Sequence, residues 1–173
     1  MKIADVSEFY APQGGGVKTY VEAKFRAAER LGHTLVVVAP GPEDRVEPRP
    51  GGRIVWVKSP AMPADPRYRM FWKAEPVWRV LDQEKPDMLE GSSPWRGGWL
   101  AGQWRGKVPR ALFMHADPVA VYPQTLLGGF LSEKTIDGFF GWFWRYLRRL
   151  DASYDCCVVA GQWLADRFAR QGL

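Results

Sequence analysis

Three consecutive glycines, Gly14, Gly15 and Gly16, lie between a short apolar segment and an amphipathic segment near the start of the chain. Because glycine has no Cβ atom, the backbone can turn tightly there and approach a ligand closely. The helix predicted to follow offers backbone N–H groups without intrahelical partners, which favours binding of an anion such as phosphate. We therefore predict a phosphate-facing loop that includes Lys18; the alternative is a flexible strand-to-helix turn.

The glycine run departs from two well-known phosphate-binding patterns. A P-loop has glycine directly before Lys-Thr, whereas Val17 separates Gly16 from Lys18 here, and position 11 is alanine rather than glycine. A dinucleotide fingerprint requires a third glycine where this chain has Thr19. The pattern therefore does not favour ATP hydrolysis or NAD binding.

His115 directly follows an apolar segment at 111–114. A histidine at the end of a strand can donate a hydrogen bond to a sugar hydroxyl or a phosphate, or stabilise charge in a transition state. Asp117 and Tyr122 add polar groups nearby and favour a functional role over a structural one. The other histidine, His33, precedes a predicted strand at the opposite edge of the sheet and is interpreted as structural.

Glu90, Ser92 and Trp95 form a further candidate site at the end of another apolar segment. A carboxylate and hydroxyls beside an aromatic face can hold a polyol, because hydroxyls need fixed donors and acceptors while C–H faces stack on rings. The alternative is helix capping by Ser93, with Pro94 at the first helical position. Both roles are compatible.

Short apolar segments alternate with helical patterns along the whole chain. The predicted strands are 2–6, 34–39, 53–58, 87–90, 110–114 and 155–160. The predicted helices are 17–31, 67–84, 95–105, 133–150 and 162–171. Segments 40–52 and 61–66 are predicted connections rich in proline. This alternation predicts an α/β domain with a three-layer, doubly wound, Rossmann-like parallel sheet.

In such sheets ligands bind beyond the carboxyl ends of the strands, near the point where the strand order reverses. Three segments that follow predicted strands are therefore the candidate ligand-binding segments: 7–18, 91–95 and 115–122.

Composition limits the class of protein. At 173 residues with 46% hydrophobic and 25% charged residues, the chain is neither disordered nor fibrous. A net charge of +5 fits nucleic acid, an anionic membrane or a phosphorylated ligand, but no long block of like charge favours a nucleic-acid arm. Asp5 interrupts the apolar start, which disfavours a signal peptide, so we expect a cytoplasmic protein.

Segment 139–150 is aromatic on nearly all sides and has arginines near its C-terminal end. Two interpretations stay open. Such a helix is buried in the core, or it lies on an anionic membrane surface with its aromatic rings at the level of the headgroups. Peripheral contact with the inner face of the membrane is therefore one expectation.

Several segments together resemble the N-terminal half of family 4 glycosyltransferases, which have the GT-B fold. They are Y-x-P-x-G-G-G-V-x-x-Y-V at 10–21, L-G-H-x-L-V-V-V-A-P at 31–40, P-D-M-L-E at 86–90, His115, Tyr154-Asp155, Trp163-Leu164 and Gly172-Leu173. The order and spacing of these segments make the resemblance specific.

The resemblance implies transfer of a sugar from a GDP- or UDP-sugar donor to a glycan or lipid-linked acceptor, with retention of configuration and no required metal or other cofactor. Gly14, Gly15, Gly16 and Lys18 would face the donor's diphosphate. His115 would lie beside the transferred sugar as the catalytic candidate. The acceptor pocket would be lined by Glu8, Phe9, Tyr10, Glu90, Ser92, Trp95 and Asp117.

The resemblance also implies a second domain that holds the nucleotide and that these 173 residues do not contain. We expect residues 1–173 to fold as a single domain without transfer activity of its own. A non-catalytic module that binds carbohydrate or a lipid headgroup is the alternative function.

Overall fold

The structure is a computed structural model that describes residues 1–12, 15–63, 65–127 and 129–173. The strands are β1 (Lys2–Val6), β2 (Thr34–Gly41), β3 (Arg45–Arg49), β4 (Gly52–Lys58), β5 (Ala61–Met62), β6 (Asp65–Arg69), β7 (Met88–Gly91), β8 (Arg110–Met114) and β9 (Cys156–Val159). The helices are α1 (Gly16–Arg30), α2 (Ala74–Glu84), α3 (Arg96–Gln103), α4 (Thr125–Leu127), α5 (Glu133–Phe139), α6 (Gly141–Asp151) and α7 (Gln162–Arg170), and a π-helical turn (Ala120–Gln124) precedes α4.

Seven strands form one sheet in the order β3-β4-β2-β1-β7-β8-β9. Six of them are parallel, and only β3 at the edge pairs antiparallel, with β4. Counted along the chain, the six parallel strands have the order 3-2-1-4-5-6 of a doubly wound sheet. The predicted Rossmann-like fold is confirmed, and the strand order reverses between β1 and β7.

The alternation of side chains along β1 assigns the two faces of the sheet. Ala4 and Val6 point to the core formed with α2 and α3, which includes Leu81 and Leu100. The opposite face is covered by α1, whose buried Phe25 packs with residues of β2 and β4. Asp5 therefore lies on the α1 face, completely buried at 0% exposure.

The predicted connections at 40–52 and 61–66 contain strands that the sequence patterns did not indicate. Strand β3 lies within the first, and it tolerates Pro48 because an edge strand does not need every N–H for pairing. The second contributes to the two-stranded β5-β6 hairpin. Both predictions of structureless connections were wrong because pairing with a neighbouring strand outweighed local composition.

Two predicted helices also differ from those observed. Helix α2 begins at Ala74 instead of residue 67, because residues 65–69 pair in β6. Its C-terminal end at Glu84 agrees with the prediction. Lys85 adopts a left-handed conformation with φ of 47°, and Pro86 follows it, so the helix cannot continue. The predicted helix 133–150 is two helices, α5 and α6, which meet at Phe140.

Helix α6 is buried on one face only. Its inner face carries Phe143, Trp144, Leu147 and Leu150 in the core with β8 and α7, whereas Trp142 is 59% exposed. Among the described residues, no helix is long and apolar enough to cross a membrane.

Candidate functional site

The first cleft lies at the carboxyl ends of β1, β7 and β8, where the fold predicts a ligand site. It has a volume of about 150 Å³. Its lining residues come from the segments that follow these strands and from the first turn of α1: Phe9, Val17, Ser92, Ser93, Pro94, Trp95, His115, Ala116, Pro118 and Val121. The structure therefore brings together four of the predicted site residues, namely Phe9, Ser92, Trp95 and His115.

His115 is half-buried between aromatic rings. The centroid of its ring lies 5.0 Å from that of Tyr20 and 4.6 Å from that of Phe113. Burial lowers the pKa of His115 below its ordinary value, so the imidazole is neutral at neutral pH. Among the described residues its buried Nε2 atom has no hydrogen-bond partner. A neutral ring with a free nitrogen can exchange a hydrogen bond with a ligand hydroxyl.

The glycine loop precedes α1 and borders this cleft through Val17. Gly14 lies outside the described residues, as does the side chain of Tyr122. Gly15 has φ of 95°, a conformation that favours glycine. Among the described residues, a Cβ atom on Gly16 would meet nothing within 4 Å.

No side chain caps the N-terminus of α1 in the described part of the chain. Lys18 lies on the same turn, and its Nζ atom donates a hydrogen bond to the Pro12 carbonyl at 2.6 Å. The uncapped N–H groups and the ammonium of Lys18 make this helix end suitable for an anion.

A buried polar network fastens α1 to the sheet behind the cleft. Asp5 and Glu90 are paired residues of adjacent parallel strands and point to the same face. The Nζ atom of Lys24 lies 2.8 Å from Asp5 Oδ2 and 2.8 Å from Glu90 Oε1. Ser92 Oγ lies 2.7 Å from Asp5 Oδ1, and the Tyr20 hydroxyl donates to Glu90 at 2.9 Å.

The charges of this network depend on one another. Burial raises the pKa of Asp5, the ammonium of Lys24 opposes that shift, and the charge of Glu90 adds to it. Burial alone would lower the pKa of Lys24, but the two carboxylates outweigh it and raise this pKa. Lys24 therefore stays an ammonium group and holds the two carboxylates together.

Sequence reasoning did not identify Asp5, Tyr20 or Lys24. A signal was present, because Asp5 interrupts an apolar strand and Lys24 lies four residues after Tyr20 on one helix face. Glu90 and Ser92, which were predicted to contact the acceptor, belong to this network, and Ser92 also lines the cleft. Their acceptor contacts stay predictions.

Glu8 is buried, at 2% exposure, beside the start of α3. Its Oε2 atom accepts the N–H of Gly97 at 2.9 Å, and its Oε1 atom accepts that of Phe71 at 3.3 Å. Burial raises the pKa of Glu8, and these two N–H donors oppose the shift. The predicted capping by Ser93 holds only in part: α3 begins at Arg96, later than predicted, and Ser93 Oγ accepts the N–H of Trp95 at 3.4 Å.

Tyr10 and Asp117 also have internal partners. Tyr10 lies in the core beside Trp56, and its hydroxyl donates to Glu22 at 3.1 Å. The Oδ1 atom of Asp117 accepts the N–H of Val119 at 2.7 Å, and its Oδ2 atom accepts from Arg167 Nε at 2.8 Å. The acceptor contacts predicted for Glu8, Tyr10 and Asp117 remain untested predictions.

The described residues contain no group of three or more acidic, histidine or cysteine side chains that could hold a metal ion.

The chain was also compared with known proteins. A search of the curated proteins found no match. The family model Glycosyltransferase Family 4 matches residues 14–173, a range that starts in the glycine run and includes His115. The chain therefore belongs to glycosyltransferase family 4.

Proposed function

We propose that this chain is the acceptor-binding half of a retaining, hexosyltransferase-type enzyme that transfers a sugar from a nucleotide-sugar to a glycan or lipid-linked acceptor. One observation carries the proposal: Val17, on the first turn of α1, and His115, at the end of β8, line the same cleft. An anion site and a neutral imidazole are thus within reach of one bound sugar nucleotide.

The N-terminus of α1 would face the diphosphate of the donor. Negative charge grows on that diphosphate as the bond to the sugar breaks, and N–H groups fixed at a helix N-terminus stabilise such charge. The proposed contacts come from Gly14, Gly15, Gly16 and Lys18. No metal or other cofactor is required in this proposal.

His115 would contact the hydroxyls of the transferred sugar. Its Nε2 atom, which has no hydrogen-bond partner among the described residues, and its lowered pKa support this role, because a neutral imidazole can donate or accept one hydrogen bond without adding charge. Phe9 and Trp95 line the same cleft, and aromatic rings can stack on the C–H side of a sugar. The acceptor would therefore lie between these rings and His115.

We further propose that a second α/β domain, outside these 173 residues, binds the nucleotide. The chain alone would then bind fragments of the substrates but would not transfer sugar. A transfer assay tests this proposal: the purified chain is incubated with UDP-glucose or GDP-mannose and a panel of glycan and lipid-linked acceptors, with and without the second domain.

We expect transfer only when the second domain is present, and we expect His115→Ala to reduce it by at least about 100-fold. His33→Ala is the matched control and should retain activity, since His33 lies away from the cleft. Turnover by the isolated chain would contradict the half-enzyme proposal. Binding without transfer, even with the second domain, would favour the non-catalytic module.

A further inference from the structure

A second and larger cleft, of about 570 Å³, opens between α3 and α6. It is lined by Trp95, Arg96, Trp99, Trp142, Arg145, Tyr146 and Arg149. We call it the arginine cleft. Trp95 lines both this cleft and the first one, so the two clefts are adjacent.

In the part of the chain that the structure describes, the lining of the arginine cleft contains three guanidinium groups and no carboxylate. Within the described ranges, Arg145 and Arg149 form no ion pair, and Arg96 donates only to the carbonyl of Trp72, at 3.4 Å. By contrast, Arg53 binds both oxygens of Glu84. Unpaired guanidinium groups facing one cleft attract an anion, and their planar fork suits phosphate oxygens.

The remaining walls of the arginine cleft are aromatic and fixed in place. The Trp99 and Tyr146 rings stack with centroids 6.1 Å apart. The Tyr146 hydroxyl donates to the Pro94 carbonyl at 2.7 Å, which connects α6 to the turn before α3. Rings of this kind stack on the C–H faces of sugars, so the cleft combines an anion site with a sugar platform.

We propose that the arginine cleft binds a phosphoryl group of the acceptor, which is a phosphorylated saccharide. The acceptor's reactive hydroxyl then passes Trp95 and reaches the first cleft beside His115. This inference rests on the proposed function, since it assigns a substrate class to the same site. The phosphate belongs either to a lipid-linked saccharide or to a free saccharide phosphate.

The exposed side chains on the chain segment that precedes Arg145 suit a lipid-linked acceptor. Trp142, which lines the arginine cleft, is 59% exposed, and three large apolar side chains earlier in the same segment are also exposed: Leu126 at 77%, Phe130 at 90% and Phe139 at 69%. Exposed aromatic residues next to unpaired arginines are typical of surfaces that contact anionic lipid headgroups.

The first test is a titration of the isotope-labelled chain with glucose 1-phosphate and with glucose, followed by the NMR signals of the tryptophan indole N–H groups. Glucose 1-phosphate should shift the signals of Trp95, Trp99 and Trp142, and glucose should not. The double variant Arg145→Gln/Arg149→Gln should weaken this binding by about tenfold or more.

A matched control is Arg26→Gln/Arg30→Gln, which removes two exposed arginines with the same four-residue spacing from α1. It should bind glucose 1-phosphate like the unchanged chain. Equal affinity of the unchanged chain and the Arg145→Gln/Arg149→Gln variant would overturn the proposal, as would equal responses to glucose and glucose 1-phosphate.

Sedimentation with vesicles separates the two sources of phosphate. Binding to phosphatidylglycerol vesicles but not to phosphatidylcholine vesicles, lost in Arg145→Gln/Arg149→Gln, supports a lipid-linked acceptor. Binding of glucose 1-phosphate without vesicle binding supports a free saccharide phosphate. Absence of both overturns the proposal. Binding of the sugar-nucleotide donor is measured from the NMR signals of the N–H groups of Gly15, Gly16 and Val17. A failure of the proposed function therefore appears at these signals, and a failure of the arginine-cleft proposal appears at the tryptophan signals.

Discussion

The ammonium group of Lys24 lies 2.8 Å from the carboxylate of Asp5, which is completely buried between α1 and the sheet. Asp5 is on the central strand that leads to the cleft, and Lys24 is on the helix whose first turn carries the glycine loop. The pair therefore sets the position of the loop relative to His115.

Lys24→Met should lower the free energy of unfolding by about 3–5 kcal/mol, because it leaves two buried carboxylates without their counterion. The double variant Lys24→Met/Asp5→Asn should recover part of this loss. Urea unfolding at pH 7 measures both. Lys107→Met, at an exposed position, is the control and should change the value by less than about 0.5 kcal/mol. Equal values for Lys24→Met and Lys107→Met would show that the network does not stabilise the fold.

His115 should titrate below the ordinary histidine pKa of 6.5, since burial disfavours its charged form. The unfolded chain then binds a proton at higher pH than the folded chain, so the stability contribution of His115 is complete above pH 6.5 and is lost as the pH falls through the folded pKa. An NMR pH titration of the two histidine rings measures this, with His33→Gln to assign the signals. A His115 pKa at or above 6.5 would contradict the structure.

Glu8→Gln should flatten the pH dependence of stability above pH 4.5. Burial raises the pKa of Glu8, so the folded chain holds a proton there that the unfolded chain has released, and stability falls as the pH rises through the folded pKa. Urea unfolding at pH 4.5 and pH 7 measures the slope. Glu75→Gln, on the exposed surface of α2, should leave the slope unchanged. Equal slopes for the Glu8→Gln variant and the unchanged chain would show that burial does not raise the pKa of Glu8.

Gly98→Ala should destabilise the chain by about 1–3 kcal/mol or more, because the added Cβ atom would lie 1.9 Å from the backbone oxygen of Ser93. Gly138→Ala, in α5, is the matched control: its Cβ atom meets nothing within 4 Å, and alanine favours a helix by about 0.5–1 kcal/mol. The midpoint temperature of thermal unfolding should therefore fall for Gly98→Ala and rise for Gly138→Ala. A Gly98→Ala variant as stable as the unchanged chain would show that the turn before α3 is not tightly packed.

The sequence predicts those parts of the fold that depend on local patterns. The apolar segments 2–6 and 110–114 coincide with β1 and β8, and the predicted first helix is displaced by only one residue at each end. Strand β3 was not predicted because its formation depends on pairing with β4, which local composition does not reveal.

In the candidate site, too, the sequence predicts the features that follow from local patterns and misses those that depend on tertiary contacts. The location of His115 and the glycine run follows from the rule that ligands bind at strand ends. The direction of a side chain after a strand ends is set by tertiary contacts, so the sequence does not reveal the internal hydrogen bonds that Glu8 and Tyr10 form. The capping of α3 by Glu8 joins residues 89 positions apart, and no local pattern indicates it.

We propose that the start of α1 and His115 face one bound sugar nucleotide, and an NMR titration with UDP-glucose and GDP-mannose tests this arrangement. The N-terminus of α7 is the internal control, because it also follows a glycine and has no side-chain cap among the described residues. We expect the N–H signals of Gly15, Gly16 and Val17 and the ring signals of His115 to shift together with one dissociation constant, while the signal of Gln162 does not shift. Shifts at α7 equal to those at α1, or an unchanged His115 ring at saturation, would contradict it.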